Sequence, residues 1–130
     1  MSSPQGIDLD ASGNILVADS GADAVFQIDS TTGDRTIVSS LSVGNGPPVF
    51  FPHFLAFGGS DNIYTTNNGT AIYRVDPTTG DRTILSSSTV GSGPSFDNPL
   101  FITTVPVPEP STLALVACAL LGLAYGRRRP

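Results

Sequence analysis

Short apolar or alternating runs, separated by clusters of turn-forming residues, are the main pattern along the chain. Between residues 52 and 98 there are four such runs: Phe54–Phe57, Asn62–Thr66, Ala71–Asp76 and Arg82–Ser87. Valine, isoleucine, tyrosine, phenylalanine and threonine dominate them and favour strands over helices. The joints contain Asn-Gly and Pro-x-x-Gly, which are typical of hairpin turns because glycine accepts a positive φ. The pattern predicts four antiparallel strands per unit and no helix between Gly6 and Ser87.

The same pattern occurs twice. Asp29–Pro47 and Asp76–Pro94 match at 14 of 19 positions with an offset of 47 residues. The similarity extends more weakly outward, where Pro4–Leu9 aligns with Pro52–Phe57, and a third copy begins at Pro99–Ile102. We therefore expect a first unit over residues 4–51, a second over 52–98 and a stub of a third over 99–104.

The ordered motifs of the first unit carry a resemblance. The chain reads P-x-G-I-x-L-D-x-x-G-N-I-L-V-A-D-S-G from Pro4, then V-F-x-I-D-x-x-T-G-D-R-T from Val25. This resembles an NHL-type or gluconolactonase-like β-propeller repeat, and the likeness covers residues 4–104. It implies an all-β fold in which each unit is a four-stranded antiparallel blade, so that residues 1–104 form a partial propeller. A two-sheet or solenoid-like β repeat is the alternative.

Two blades are fewer than the four to eight with which propellers close. Three interpretations follow: a fragment of a longer propeller, a chain that assembles with copies of itself, or a decayed remnant. The segment Met1–Gly6 has neither the basic nor the apolar stretch of a secretory signal peptide. A missing or misassigned N-terminal part would explain both features, and we expect that interpretation to hold.

The C-terminal segment changes character. Val105–Pro110 reads VPVPEP and predicts an extended spacer over residues 105–111, because proline lacks an N–H and disfavours helix before it. Thr112–Tyr125 is apolar all round, so we predict one hydrophobic helix there, with Ser111 as its N-cap. Fourteen helical residues span roughly 21 Å, which is short for a bilayer core of about 30 Å. Three basic residues close the segment, namely Arg127, Arg128 and Arg129.

These parts together resemble the PEP-CTERM sorting signal: Pro-Glu-Pro, a short apolar helix, then arginines at the end. The resemblance implies that an exosortase, a membrane protease-transferase, recognises Pro108, Glu109 and Pro110, removes the helix and passes the body to the cell surface or matrix. By the positive-inside rule the arginines stay cytoplasmic and orient the membrane-anchored precursor with its body outside. An ordinary C-terminal anchor that happens to contain this tripeptide is the alternative.

Charge and candidate chemistry narrow the function. Ten aspartates and three arginines lie in residues 1–106, which argues against nucleic acid as a partner because phosphates need clustered basic side chains. The densest acidic group consists of Asp8, Asp10, Asp19 and Asp23. The first two become Ala56 and Gly58 in the second unit, so we expect no metal site and no cofactor. Asp19 and Asp34 are instead predicted to accept hydrogen bonds from turn N–H groups.

His53, the only histidine, has no recognisable catalytic partner and is expected to begin a strand. The sequence thus favours an exported, non-catalytic surface or extracellular-matrix protein whose blades form a binding scaffold. The alternative is the C-terminal part of an exported propeller enzyme of the lactonase or lyase type. Further blades carrying glutamate and histidine at the channel would distinguish the enzyme.

Overall fold

The computed structural model describes residues 1–58 and 61–105. These residues form eight strands: β1 Pro4–Leu9, β2 Ile15–Asp19, β3 Ala24–Ile28, β4 Arg35–Ser39, β5 Pro52–Gly58, β6 Asn62–Asn67, β7 Ala71–Val75 and β8 Arg82–Ser87. The described positions between Gly6 and Ser87 contain no helix, as the strand and turn chemistry predicts. The predicted helix at residues 112–125 lies outside the described residues.

The strands form two antiparallel sheets, each a simple meander, in the orders β1-β2-β3-β4 and β5-β6-β7-β8. Their irregularities also repeat. The first strand pair of each sheet shifts register near its proline, at Pro4 and at Pro52. The last pair shifts after Val25 in one sheet and after Ile72, the matching residue, in the other. The sequence repeat is therefore a repeat of complete four-stranded units.

The best-matched part of the repeat is the turn between the third and fourth strands. In the first sheet, the Asp29 carboxylate accepts hydrogen bonds from the backbone N–H groups of Thr31 and Thr32, at 2.7 and 2.9 Å. Asp76 accepts the matching pair of bonds in the second sheet. The glycine of each turn has a φ near +75°, which explains why neither copy has another residue there. The sequence Asp-x-Thr-Thr-Gly-Asp thus encodes one local structure twice.

One apolar cluster joins the two sheets. It contains Leu16, Ala18, Val25 and Val38 from the first sheet and Leu55, Ile63 and Val75 from the second, with Phe57 packed against it. Residues directly opposite in a ladder share a face, so one face of each sheet supplies the cluster. Each buried Leu, Ile or Val contributes about 1.5–3 kcal/mol by leaving water. The opposite face of the first sheet is open, and Ile7 on it is 70% exposed.

Candidate functional site

The junction between the sheets is built around one buried arginine. Arg82 begins β8, and its side chain is only 5% exposed. Its Nη1 donates to the hydroxyl of Ser39 and to the carbonyl oxygens of Ser40 and Val43, each at 2.8 Å. Its Nε donates to the carbonyl oxygen of Pro47, also at 2.8 Å. A single side chain thereby fastens the segment that leads from the first sheet to the second.

The neighbouring Asp81 completes this junction at its exposed rim. Its Oδ1 accepts from the backbone N–H of Asn45 at 2.7 Å, and the backbone N–H of Arg82 donates to the carbonyl oxygen of Asn45 at 2.7 Å. The backbone and side-chain N–H groups of Asn45 hold the pKa of Asp81 below its ordinary value. A Cβ at Gly80 would collide with the carbonyl oxygen of Val38, so only glycine permits this approach.

Asp19 and Asp10 act as hydrogen-bond acceptors within their own unit. Asp19 is fully buried, and its carboxylate accepts four backbone N–H bonds, from Ser2, Ser3, Gly21 and Ala22. Burial acts to raise the pKa of Asp19, but these four bonds outweigh it and hold the pKa below its ordinary value. The pKa of Asp10 is likewise lowered, because bonds from neighbouring amides and N–H groups outweigh its burial.

The other two acidic residues of this group join the sheets. Asp8 accepts the backbone N–H of Phe57 at 2.8 Å, and Asp23 accepts that of Phe51 at 2.7 Å. Across residues 1–58 and 61–105, no three His, Cys, Asp or Glu side chains lie together as a set of metal ligands. The prediction for Asp19 as a turn acceptor is confirmed. For Asp34 it is wrong, because the carboxylate that accepts the N–H groups of that turn belongs to Asp29.

His53 is half-buried near the start of β5, as the sequence predicts, and its ring lies edge-on to Phe54 at 6.2 Å. Beside it, the inner strands of both sheets enclose a cavity of about 230 Å³. The cavity is lined by Gln5, Gly6, Ile7, Phe54, Leu55, Phe101 and Ile102. Among these described lining residues, none has an ionisable side chain, and the surface of the cavity is a mixture of polar and apolar atoms.

Residues 99–105 lie against the outer face of the second sheet without forming a strand. Thr104 Oγ1 donates to the carbonyl oxygen of Phe57 at 2.5 Å, and the Phe101 ring lies 5.4 Å from that of Phe54. A neighbouring groove of about 340 Å³ is lined by Tyr64, Ile72, Leu85 and residues 102–105. The segment therefore covers only part of this face.

The residues predicted to direct sorting lie outside the described part of the chain. They are Pro108, Glu109, Pro110, Arg127, Arg128 and Arg129. Within residues 1–58 and 61–105, the structure has no helix that is long and apolar enough to cross a membrane. Comparison by sequence identifies the motif in this C-terminal segment. The family described as "PEP-CTERM protein-sorting motif" matches residues 106–129.

The chain carries a PEP-CTERM sorting motif. The matched range contains the Pro-Glu-Pro tripeptide, the apolar run and all three arginines, so it agrees with the segment that the sequence singles out. A PEP-CTERM motif implies processing by an exosortase and an exported, cell-surface protein. The individual roles of Glu109 and of the arginines stay predictions.

Solved structures identify the fold of the body in front of the PEP-CTERM motif. A catalytically inactive virginiamycin B lyase from Staphylococcus aureus with quinupristin is 23% identical, with a TM-score of 0.55, over 68% of this chain and 28% of that one. The selenomethionine-substituted lyase from the same organism is 26% identical, with a TM-score of 0.56, over 72% and 30%.

This chain thus spans less than a third of the length of the lyase chains that it matches. The likeness confirms the β-propeller resemblance over two four-stranded blades. It favours that fold over the solenoid-like alternative. Among curated proteins, none matches this sequence.

Proposed function

We propose that this protein is an exported, non-catalytic surface or extracellular-matrix protein, released from a membrane-anchored precursor by an exosortase, with its blades as a binding scaffold. The observation that carries the proposal is the match of residues 106–129 to the PEP-CTERM motif, directly behind a propeller-like body. The body is acidic, which suits a protein displayed in water and disfavours a nucleic-acid partner.

In this proposal the precursor is held by the apolar run between Ser111 and Gly126. A helix there satisfies its backbone hydrogen bonds internally, as lipid requires. Arg127, Arg128 and Arg129 resist translocation and keep their end cytoplasmic, while their long side chains reach the interface and offset the short span. Pro108 and Pro110 keep Glu109 in an extended, accessible segment on the outer side.

The chemistry of the body supports a binding role over a catalytic one. The four carboxylates nearest the N-terminus are each occupied by backbone N–H groups, and the pKa values of Asp10 and Asp19 are lowered, which suits permanent anions better than proton donors. The cavity between the inner strands has a mixed polar and apolar lining, with no ionisable side chain among its described residues. Such a lining binds a ligand by contact and shape.

A second candidate function is the C-terminal part of an exported propeller enzyme of the lyase type. Its support is specific: the matched solved structures are lyases more than three times as long as the matched region. The coding sequence upstream of Met1 distinguishes the two functions. Further blades with glutamate and histidine at the channel would favour the enzyme.

Sorting is tested by joining a cleavable signal peptide to residues 1–130 and expressing the protein in a host that has an exosortase. The tail should be removed, which is measured by the mass and the membrane or surface location of the body. Glu109→Ala should leave the uncut protein in the membrane, whereas Val107→Ala, two residues away, should be processed normally. Changing the three arginines to serine should impair retention and orientation. Processing of Glu109→Ala at the parental rate would show that the segment is a plain anchor.

A further inference from the structure

The junction around Arg82 consists of a turn that receives a loop and of the loop that inserts into it. The sequence repeat contains each of these two parts twice, but only one turn and one loop are in contact within the described residues. The receiving half is the turn that ends in Asp81 and Arg82, and the inserted half is the loop of residues 40–49. The repeat places Asp34 and Arg35 in an equivalent receiving turn and aligns residues 87–94 with residues 40–47 of the inserted loop, with five of eight positions identical. Both of these second copies are exposed.

The receiving turn of the first sheet is open. Arg35 is exposed, and its guanidinium makes no hydrogen bond with any residue of the described ranges. Gly33 and Gly80 have the same backbone conformation, with φ values of 76° and 75°. A Cβ at Gly33 would meet nothing within 4 Å, whereas one at Gly80 would meet the carbonyl oxygen of Val38. The turn at Gly33 therefore resembles the turn at Gly80, but no loop of the described residues is packed against it.

The sheet face beside this turn is open in the same way. Ile7, Phe26 and Ile37 lie in one cross-strand row, because Val17 pairs with both Ile7 and Phe26, and Phe26 pairs with Ile37. Ile7 and Ile37, at the two ends of the row, are exposed, whereas Phe26 is half-buried and Val17 is buried. The repeat aligns this row with Leu55, Thr65, Tyr73 and Ile84, which form the matching row of the second sheet. In that row Leu55 belongs to the cluster between the sheets, so Ile7 is the exposed equivalent of a residue that the second sheet buries.

The second inserted loop already has the conformation of the docked one. Gly91 and Gly93 have φ values of 89° and 125°, against 77° and 112° for Gly44 and Gly46. Ser87 Oγ accepts the N–H groups of Thr89 and Val90, and Ser40 Oγ accepts the matching pair in the docked loop. A loop that is preorganised before it meets a partner loses little conformational entropy on binding.

We propose that residues 86–94 of one chain dock on the Asp34–Arg35 turn and the Ile7–Phe26–Ile37 face of a second copy of this chain. By equivalence with the observed junction, the Arg35 side chain donates to the Ser86 hydroxyl and to the carbonyl oxygens of Ser87, Val90 and Pro94. The backbone N–H of Ser92 donates to the Asp34 carboxylate.

At least four substitutions between the repeats reduce the contact without removing it. Thr70 stands where Asp23 accepts the N–H of Phe51, and Phe26 stands where the Tyr73 hydroxyl donates to Pro48. Ser92 stands where Asn45 supplies an additional side-chain bond, at 3.1 Å, to Asp81. Ala56 stands where Asp8 accepts a backbone N–H across the sheets. The backbone bonds at the turn and all the acceptors for the arginine are retained, so the proposed contact is a weaker version of the internal one.

The two docking surfaces differ, so the contact is head-to-tail, and it either closes a ring or continues as a chain of copies. Since propellers close with about four to eight blades, a closed ring needs about two to four copies. Residues 99–105 lie on the outer face of the second sheet, where β1 of the next copy would lie in the proposed contact. They must therefore move aside, and their described polar attachments are few, at Asn98 and Thr104.

Cross-linking between two populations of the full chain tests the contact. Both carry Cys118→Ser; one carries Asp34→Cys and the other, with a different tag, carries Ser92→Cys. Mixed in mild detergent with a short bifunctional thiol reagent, they should give a covalent dimer that contains both tags. Asn45→Cys with Asp81→Cys in one chain is the positive control and should cross-link within that chain, gaining the mass of the linker but forming no dimer. Ser12→Cys, on an exposed turn away from the surface, replaces Asp34→Cys as the background control.

The decisive comparison is between the cross-linking yields with and without a further substitution, placed at a position other than the two introduced cysteines. Arg35→Ala in the Asp34→Cys population should lower the mixed-dimer yield about tenfold or more, because it removes several charge-assisted hydrogen bonds. Gly33→Asn should do the same by filling the turn, whereas Gly13→Asn, at another open positive-φ site, should leave the yield unchanged. A yield equal to that of Ser12→Cys, or one that neither Arg35→Ala nor Gly33→Asn lowers, would overturn the proposal.

Discussion

Arg82→Ala is the substitution for which the structure makes its sharpest stability prediction. Arg82 is buried at the junction and supplies the hydrogen atoms that satisfy the carbonyl oxygens of Ser40, Val43 and Pro47. Alanine removes every one of these donors and leaves a gap between the sheets. Besides its rim contacts with residue 81 and the backbone N–H of residue 82, the loop of residues 40–49 would then keep the bond from the Tyr73 hydroxyl to Pro48 and the burial of Val49.

The size of the effect follows from the carbonyl oxygens of Ser40 and Pro47, because that of Val43 keeps the backbone N–H of Ser40 as a donor. A buried polar group that loses its partner costs about 1–3 kcal/mol. Water can enter part of the gap and satisfy one of them, so we expect a loss of about 2–4 kcal/mol in the free energy of unfolding, part of it from the gap itself. This is a large share of the 5–15 kcal/mol that is typical of whole domains. Arg82→Lys should cost less, since an ammonium keeps some of the donors but cannot also reach Pro47.

The repeat provides a matched control, because Arg35 has the same neighbours in sequence but is exposed. Arg35→Ala should change the free energy of unfolding by no more than about 0.5 kcal/mol. Urea unfolding followed by far-ultraviolet circular dichroism measures both variants, in dilute solution so that contacts between copies do not contribute. Equal destabilisation by the two substitutions would refute the assignment of the junction to Arg82.

Three further predictions concern other parts of the body. The pKa of Asp19 is held below its ordinary value of 3.8, so its contribution to stability is present above that pH and lost as the pH falls through the lower folded value; Asp19→Asn should flatten the acid limb of a stability–pH profile measured by urea unfolding. Ile63→Ala should lower the free energy of unfolding by about 2–5 kcal/mol because it empties a fully buried site, whereas Ile7→Ala, on the open face, should cost far less in the same assay. Gly80→Asn should lower the thermal midpoint more than Gly13→Asn, because both keep a positive φ but only the first meets a neighbouring carbonyl oxygen.

Strands and turns could be predicted from the sequence because their determinants are local. The last run of the second unit, Arg82–Ser87, has the bounds that the structure gives. The first run was predicted from Phe54, but its strand begins at Pro52, which pairs with Asn67. Proline can start a strand because its missing N–H is not needed there, and an apolar pattern alone does not indicate this.

The roles of the charged residues could not be read from the same local pattern. Arg35 and Arg82 lie in identical Gly-Asp-Arg-Thr sequences, yet one is exposed and the other is the centre of the junction. What differs is whether another unit lies in front of the turn, and this is a property of the fold. The error at Asp34 has a similar origin: Asp29 and Asp34 both flank the turn, and only the backbone geometry decides which carboxylate faces the N–H groups.

The sorting motif affects contacts between the repeats of different chains, because it changes the local concentration of those chains. A body built of repeats is stabilised mainly by contacts between neighbouring units, and the described chain has such a contact on one face of each sheet only. Confining chains to a membrane or a cell surface raises their effective concentration, so a contact too weak to persist in dilute solution can form there. The weaker copy of the junction, with Ser92 in place of Asn45, suits that situation. In the proposed contact, confinement at a membrane or surface would therefore shift the blades further toward association than the same number of chains in dilute solution.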